Sequence, residues 1–451
     1  MKSFVVGTDA TMAAVMSGEN VFVTGAGGSG KSHMIATLRD FFSGSVLLLA
    51  PTGIAALNIQ GMTAHKACGL TFGITTKEDY KAKGRAQAIL MSSKAIELLI
   101  IDEISMIRRD KLAEIDMKLR YHRKINEPFG GLQVVAFGDG FQISPVLTRK
   151  EAPDFHRAWG DELPFNSEVW NSLDFRPALL EKIHRQADPV FAAHLNNMRI
   201  GADLPNVVKY LNDNCYGKGT MADAVTLCTT NKMADDINQR EYDKLPGKGH
   251  TFKASVVGDF PDRPVHEVLH LKEGLKVMIC TNHNPQEGEE SLYVNGTVGI
   301  VSRVAKTYVL VNVDGEDIPI YQNSWENIGQ EPQIERKKVK KTIKNEETGE
   351  DEEIEVEEDV EVLVDVKLGK YTQFPLKLGY AITGHKSQGL TLSKVNVDLG
   401  NGAFTAGQTY VMISRARDVQ GLRLVKPLRV KDIIVDRRVL SFYRQCFPGK
   451  F

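Results

Sequence analysis

Apolar residues in the first 140 positions gather into short runs rich in β-branched side chains: NVFVT at 20–24, VLLLA at 46–50, ELLIID at 97–102 and QVVAFGD at 133–139. Stretches with helical spacing separate them. Unbroken apolar runs alternating with helices predict a parallel sheet buried on both faces. Ahead of the first run the pattern predicts a helix from Asp9 to Met16, with Thr8 as its N-cap and Gly18 as its stop. A second α/β section begins near Phe175, with the helix PVFAAHLNNMRIG (189–201), the strand AVTLCTT (224–230) and the helix MADDINQREYDKL (233–245). From about Leu275 to Lys367 the spacing changes to short strands with turn residues (KVMICTN, LYVNGTVGIVSRV, YVLVNV, DIPIYQ), which predicts a small all-β, barrel-like insert. The expected division is a first lobe over 1–174, the first part of a second lobe over 175–274, the insert over 275–368, and the rest of the second lobe over 369–451.

At 451 residues the chain exceeds what one hydrophobic core sustains, so several domains agree with the pattern. No run approaches the roughly 18 apolar residues of a membrane helix, and the opening MKSFVVGTDATMAAVMSGEN lacks a basic stretch followed by a long apolar one. The expectation is a cytosolic protein without a membrane partner. Five cysteines (Cys68, Cys215, Cys228, Cys280, Cys446) lie far apart with no zinc-ligand spacing, which predicts reduced, mostly buried thiols. The formal charge of −1 argues against nucleic acid until its distribution is considered. Residues 346–361 hold eleven of the 57 acidic side chains, leaving 56 basic against 46 acidic groups elsewhere, a balance suited to a phosphate backbone. That block, with RKKVKK before it, predicts a charged hairpin over 336–361 turning near Asn345 to Asp351, most simply a solvated surface feature.

The chemistry begins with GAGGSGKS at 25–32, a G-x-x-x-x-G-K-S loop between an apolar strand and a helical pattern. Gly25, Ala26, Gly27, Gly28, Ser29 and Gly30 would turn backbone N–H groups toward the phosphates of ATP; Lys31 would supply charge to the outer ones, and Ser32 would bind magnesium. The competing reading, a tight strand-to-helix turn, does not call for the Lys-Ser pair. A magnesium–triphosphate site also needs a strand-end carboxylate, and LLIIDEIS (98–105) offers Asp102 for the metal and Glu103 for the attacking water. Alone, such an acidic pair is commonly a solvated loop start. GDGFQISPV (138–146) places Gln142 at another strand end, where open α/β sheets gather their ligands.

These segments belong to a longer series: APTGIAALNIQGMTAH (50–65), IDEISM (101–106), PFGGLQVVAFGDGFQISPV (128–146), HRQAD (184–188), YVNGTVG (293–299), GHKSQGLTL (384–392) and YVMISRARDVQGL (410–422). In order and spacing they resemble the motifs of Pif-type, RecD-like superfamily 1 helicases over nearly the whole chain, which is similar in scale to the family's phage members. The resemblance implies two RecA-like lobes with ATP between them and 5′ to 3′ movement along single-stranded DNA that opens forked duplexes. It implies a monomer, with replication or recombination proteins as partners. Arg185 and Arg415 stand where the family places cations that reach the γ-phosphate from the second lobe, and Gln388 stands near the same cleft. Thr52, Gly53, His65, His385, Lys386 and Ser387 resemble the family's groups on the DNA backbone; a partly buried structural role is the lesser alternative for His65 and His385. The segment 66–78 falls where the family carries a small wedge, with Phe72 as its expected tip, though Phe72 reads equally as an ordinary exposed or core-packed phenylalanine.

The chain departs from the family pattern in two places. No glutamine precedes Gln60, so the adenine-reading residue is missing, and Gly140 and Ser144 stand where an aromatic and a proline are expected. A translocase that strips proteins from DNA without separating strands uses the same ATPase residues. A nucleotide-gated switch that scarcely hydrolyses would not need Lys31, Glu103, Gln142, Arg185 and Arg415 together, and a small-molecule kinase has no use for the HKSQG and ISRAR segments.

Overall fold

The computed structural model describes residues 2–451 except Lys83, Val146, Arg149, Ala187, Asp262, 284–290 and 345–350, and describes no side chains at 339–344 or 351–354. The first lobe is built on seven parallel strands: β1 (Val5–Val6), β2 (Val21–Thr24), β3 (Val46–Ala50), β4 (Met62–Thr63), β5 (Leu98–Ile101), β6 (Gln133–Phe137) and β7 (Arg176–Leu179). Their spatial order is β1-β7-β2-β6-β5-β3-β4. The four residues of β2, the five of β3 and the four of β5 are buried throughout, which is why they read as unbroken apolar runs. Helices cover both faces. Because β2, β5 and β6 are neighbours running the same way, the loops after them converge at one edge of the sheet.

The second lobe holds four strands in the order Ala381–Thr383, Val225–Cys228, Val395–Asp398, Leu422–Leu424, all parallel. Between the parts of this sheet lies antiparallel structure. Five strands pair in the order Glu316–Tyr321, Tyr308–Val313, Val298–Val304, Lys276–Ile279, Leu376–Leu378, around a core that includes Leu275, Val309 and Phe374. A long hairpin of Asn323–Lys344 with Asp351–Gln373 stands beside them. Its expected turn, Asn345 to Asp351, lies outside the described residues but for Asp351. Among the described residues no helix is long and apolar enough to cross a membrane.

Several sequence expectations need correction. Helix α1 runs Thr8–Met16, but its N-cap is Gly7; Thr8 is already helical, and Thr11 Oγ1 donates back to Gly7 O at 2.7 Å. The first sheet does not end at residue 174: β7 pairs with β1 and β2, so the crossover to the second lobe starts after Leu179. The antiparallel region starts at His250 and runs to Leu378, wider than 275–368, because His250–Lys253 pairs with Val268–Leu271 and Ser255–Gly258 pairs with the hairpin. The hairpin is longer than 336–361, and its base lies on the first lobe: Leu363 N donates to Gly44 O at 2.7 Å, and Gln330 Nε2 donates to Val46 O at 3.2 Å. The terminal helix Arg437–Cys446 returns to the first lobe, where Val439, Tyr443, Cys446 and Phe447 join the core containing Phe22 and Trp170. A cross-lobe return of this kind leaves no local trace in sequence.

Candidate nucleotide cleft and nucleic-acid edge

The loop after β2 leads into helix α2 (Lys31–Phe41), whose N-cap is Gly30. Gly28 has φ +86°, a left-handed conformation in which a side chain is strained. A Cβ there would also sit 2.5 Å from Arg185 Cβ, and one on Gly25 would sit 2.5 Å from Leu180 O. The loop is therefore tight because the crossover after β7 lies on it, with His184 N donating to Gly28 O at 2.9 Å. Lys31 Nζ donates to Gly25 O at 2.7 Å and Ala26 O at 3.2 Å, so its ammonium is held under the loop. Burial lowers the Lys31 ammonium from its ordinary value, opposed by the carboxylates of Asp139 and Glu103. Ser29 is buried, and Ser32 is exposed on the first turn of α2.

Asp102 and Glu103 follow β5. Asp102 is 9% exposed and accepts from Glu103 N at 2.8 Å. Its carboxyl is pushed up to about 7 by burial and by the neighbouring Glu103 charge. The Glu103 carboxyl is also raised, by burial first, with Lys31 opposing. Glu103 Oε2 is fully covered and has no hydrogen-bond partner among the described residues, and Gln388 Nε2 is in the same position. Gln142 is 5% exposed, with Nε2 donating to Asp139 Oδ2 at 3.4 Å. Orphaned polar atoms in a buried cleft suit a polar ligand better than a finished core.

Arg185 and Arg415 both reach the loop. A Cβ placed on Gly27 would lie 3.0 Å from Arg185 Nη1 and 3.3 Å from Arg415 Nη2. Arg185 sits on the crossover rather than within the second lobe; its Nε donates to Thr391 Oγ1 at 3.1 Å and its Nη1 to Ser414 O at 3.4 Å. Arg415 is 1% exposed and donates from Nε to Val411 O at 2.9 Å and from Nη1 to Ser387 O at 3.4 Å. Burial, then repulsion from Arg185, lowers its guanidinium to about 9. Neither arginine makes an ion pair among the described residues. A buried and a half-buried cation facing a glycine of a phosphate-type loop are arranged for an anion.

Sequence reasoning missed the groups that join the lobes beneath this site. Arg199, on the helix Pro189–Ile200, pairs with Asp139 at 2.8 Å, with the two side chains 3% and 0% exposed. Removing one member of such a pair costs about 3–5 kcal/mol because the other is left buried and unpaired. Tyr410 lies 3.4 Å from Gly27 N through its hydroxyl, and Tyr443 accepts from Gly140 N at 2.8 Å. The departure at Gly140 is explained here: a Cβ would meet Tyr443 and Val439 at 3.0 Å, so the terminal helix leaves no space for an aromatic. Asp139 stood in a quoted motif and could have been flagged; Arg199 is paired across 60 positions without a local signal.

The first-lobe groups expected on DNA follow β3 and β4 at the same sheet edge, and the others follow a strand of the second-lobe sheet. Thr52 caps helix α3 (Gly53–Ile59) after β3, its Oγ1 accepting from Ala55 N at 3.3 Å. His65, in helix α4 (Ala64–Cys68) after β4, stacks on Phe72 with ring centroids 5.8 Å apart. Both His65 and His385 are half-buried, which depresses their imidazolium forms. Phe72 is 90% exposed, which excludes the core reading. His385 and Lys386 follow the second-lobe strand Ala381–Thr383, and a Cβ on Gly389 would lie 3.8 Å from Asn58 Nδ2 of α3, so the two sets face each other. Ser387 is a correction. It is fully buried, and its hydroxyl donates to Gly384 O at 2.7 Å, closing a turn instead of facing a ligand.

Two parallel-sheet lobes with a glycine loop and opposed arginines define the class of two-lobed P-loop nucleotide-binding proteins. Residues 6–200 match the family model described as PIF1-like helicase. The ATP-dependent DNA helicase Pif1 of Bdellovibrio bacteriovorus is 30% identical, with 96% of this chain and 90% of that protein covered. Human ATP-dependent DNA helicase PIF1 is 31% identical over 98% of this chain, which spans 63% of the human protein's length. Unliganded Pif1 from Bacteroides sp is similar at a TM-score of 0.81 and 30% identity, covering 98% of this chain and 97% of that one. The Bacteroides protein bound to ssDNA gives 0.66 at 32% identity, with 97% and 96% covered. The chain belongs to the PIF1-like helicase family, and its two α/β lobes are RecA-like.

Proposed function

We propose that this chain is an ATP-driven helicase that moves 5′ to 3′ on single-stranded DNA and opens forked duplexes. The observation that carries the reading is the pair of arginines, Arg415 buried and Arg185 half-buried, that meet the loop at Gly27 without ion-pair partners among the described residues. Gly25 to Gly30 cradle the phosphates through backbone N–H groups, and Lys31 neutralises the outer ones once it swings from its loop carbonyls. Ser32 and Asp102 are the residues to hold a magnesium ion, which would supply charge neutralisation on the phosphates. Glu103 and Gln142 orient the attacking water, and Glu103 takes its proton at the covered oxygen. Arg185 and Arg415 stabilise charge on the transferred group, and Gln388 lends its free amide nearby. Since Arg185 hangs on the crossover and Arg415 on the second lobe, losing the outer phosphate loosens both attachments and lets the lobes part.

Thr52 and His65 on one side and His385 and Lys386 on the other hold the DNA backbone by polar and cationic contacts, indifferent to base sequence, while Gly53, buried at the start of its helix, serves by letting the backbone turn there. The exposure of Phe72 favours strand separation over translocation without unwinding. We place the chain in the cytosol as a monomer. Without the upstream glutamine, other nucleoside triphosphates should compete with ATP more effectively than in relatives that carry it. Phosphate release titrated with single-stranded DNA, followed by unwinding of duplexes with 5′ or 3′ tails, tests the reading. Stimulation by DNA with opening of 5′-tailed substrates supports it; DNA-independent turnover, or a preference for 3′ tails, contradicts it.

A further inference from the structure

Beneath the exposed Phe72 lies a dense group of buried charges that the ATP cleft does not use. Helix Arg109–Arg123 has Asp110, Glu114 and Lys118 at 0% exposure and Lys111 at 7%. Burying charge is costly, and apolar side chains would pack a helix against a loop more cheaply. Here the charges are spent on one irregular segment. Glu114 Oε1 accepts from Thr71 N at 2.7 Å, and its Oε2 accepts from Thr71 Oγ1 at 2.9 Å and from Thr75 Oγ1 at 2.8 Å. Asp110 Oδ2 accepts from Thr75 N at 3.0 Å.

Cations complete the group. Lys111 Nζ donates to Thr75 Oγ1 at 2.7 Å and to Glu114 Oε2 at 2.9 Å, while Lys118 Nζ donates to Gly69 O at 2.7 Å and pairs with Glu114 Oε1 at 3.1 Å. Arg108 Nη2 donates to Gly73 O at 2.6 Å, and Trp159 Nε1 to Thr75 O at 3.0 Å. Residues 69–76 form no helix or strand, yet both ends and the middle of the segment are bonded to side chains that cannot move without exposing or unpairing a charge. Burial by itself would raise the Glu114 carboxyl; Lys111, the Thr71 amide and the Thr75 hydroxyl outweigh it and leave the group below its ordinary value, hence ionised.

We propose that Glu114, acting through Thr71 and Thr75, is the positioning residue that keeps the Phe72 loop stiff enough to part a duplex. This rests on the helicase reading above. A loop held only by its ends would yield when base pairs push against its tip, and ATP would then drive translocation without efficient opening. Glu114 touches neither nucleotide nor the expected DNA contacts, so its loss should separate unwinding from hydrolysis.

The test has two arms on the full chain. In amide hydrogen exchange, Thr71, whose N–H donates to Glu114, should exchange at least about 100-fold slower than ordinary loop amides, and Glu114→Gln should weaken that protection, while the Thr75 amide, held by Asp110, should keep most of its own. In activity, Glu114→Gln should lower fork unwinding about 10-fold while ATP hydrolysis with single-stranded DNA stays within about twofold, and it should add no loss in a Phe72→Ala background. Thr75→Val, which removes one hydroxyl and keeps the carboxylate, should give a smaller loss of the same kind if Glu114→Gln folds poorly. Unprotected amides in the native chain, parallel loss of unwinding and hydrolysis, or additive loss with Phe72→Ala would each overturn the proposal. A native chain that opens no fork would instead refute the helicase reading, and the exchange arm would still report whether Glu114 fixes the loop.

Discussion

Lys118 and Arg415 are both withdrawn from solvent, at 0% and 1% exposure, and their surroundings are opposite. Lys118 has a carboxylate at 3.1 Å and a carbonyl at 2.7 Å, so its charge is matched within the fold. Arg415 has carbonyl and hydroxyl acceptors but no carboxylate bonded to it among the described residues, and a second guanidinium, Arg185, acts against it. Buried charges that are matched make structure. A buried charge left unmatched is held there at a cost to stability, and the cost is recovered only when an anion arrives.

The largest effect expected from this contrast is on turnover. Lys31→Ala should reduce phosphate release at least about 100-fold while leaving affinity for single-stranded DNA nearly intact, because the loop and the groups proposed to hold DNA occupy different strand ends. Equal loss of both, measured by phosphate release and fluorescence anisotropy, would contradict that separation.

Next comes stability, where the two cations should diverge. Lys118→Ala takes one of two cations from the buried Glu114 and should cost about 1.5–3 kcal/mol in urea unfolding, whereas Arg415→Ala removes a desolvated, repelled charge and should cost less. Similar losses for the two would erase the distinction.

A smaller effect concerns pH. Burial and Glu103 raise the Asp102 carboxyl from 3.8 to about 7, so between those values the folded chain holds a proton that the unfolded chain has released. Stability without nucleotide should therefore fall as pH rises through that window, and Asp102→Asn should flatten the fall. An urea midpoint that rises toward pH 7 in the native chain but not in the variant would reverse the sign. The smallest effect is expected at the hairpin's far end. Excising 336–359 and joining Glu335 to Val360, which are paired in register, removes surface ion pairs and keeps Glu361 on Lys94 N, so unwinding should stay within about twofold.

The difference between matched and unmatched charge also decides what could be read from sequence. The loop at 25–32, Asp102, Glu103 and Gln142 were legible because each sits at the end of an apolar run, and the parallel sheet places such ends together. Arg185 and Arg415 needed the family resemblance, since an arginine in a polar stretch has no periodic signal. Arg199, Tyr443 and the Glu114 group were hidden because their partners are distant in the chain or, for Glu114, lie in a loop of no regular pattern; Tyr410, like Asp139, stood in a quoted motif and could have been flagged. Thr8 and Ser387 show the converse error, where a residue type suited to a role was assigned it although the backbone used a neighbouring glycine, or the hydroxyl itself, to finish a local turn. The boundary at 174 failed because β7 follows a helical stretch yet fills the gap between β1 and β2.

The central claim is that cations from beyond the first lobe complete the hydrolytic site on its glycine loop. Single-turnover ATP hydrolysis with saturating single-stranded DNA, comparing the native chain with Arg185→Ala and Arg415→Ala, tests it most directly. The account predicts a fall of about 10³-fold or more for Arg415→Ala, a substantial fall for Arg185→Ala, and little change in DNA affinity for either. Native rates in both variants would contradict it.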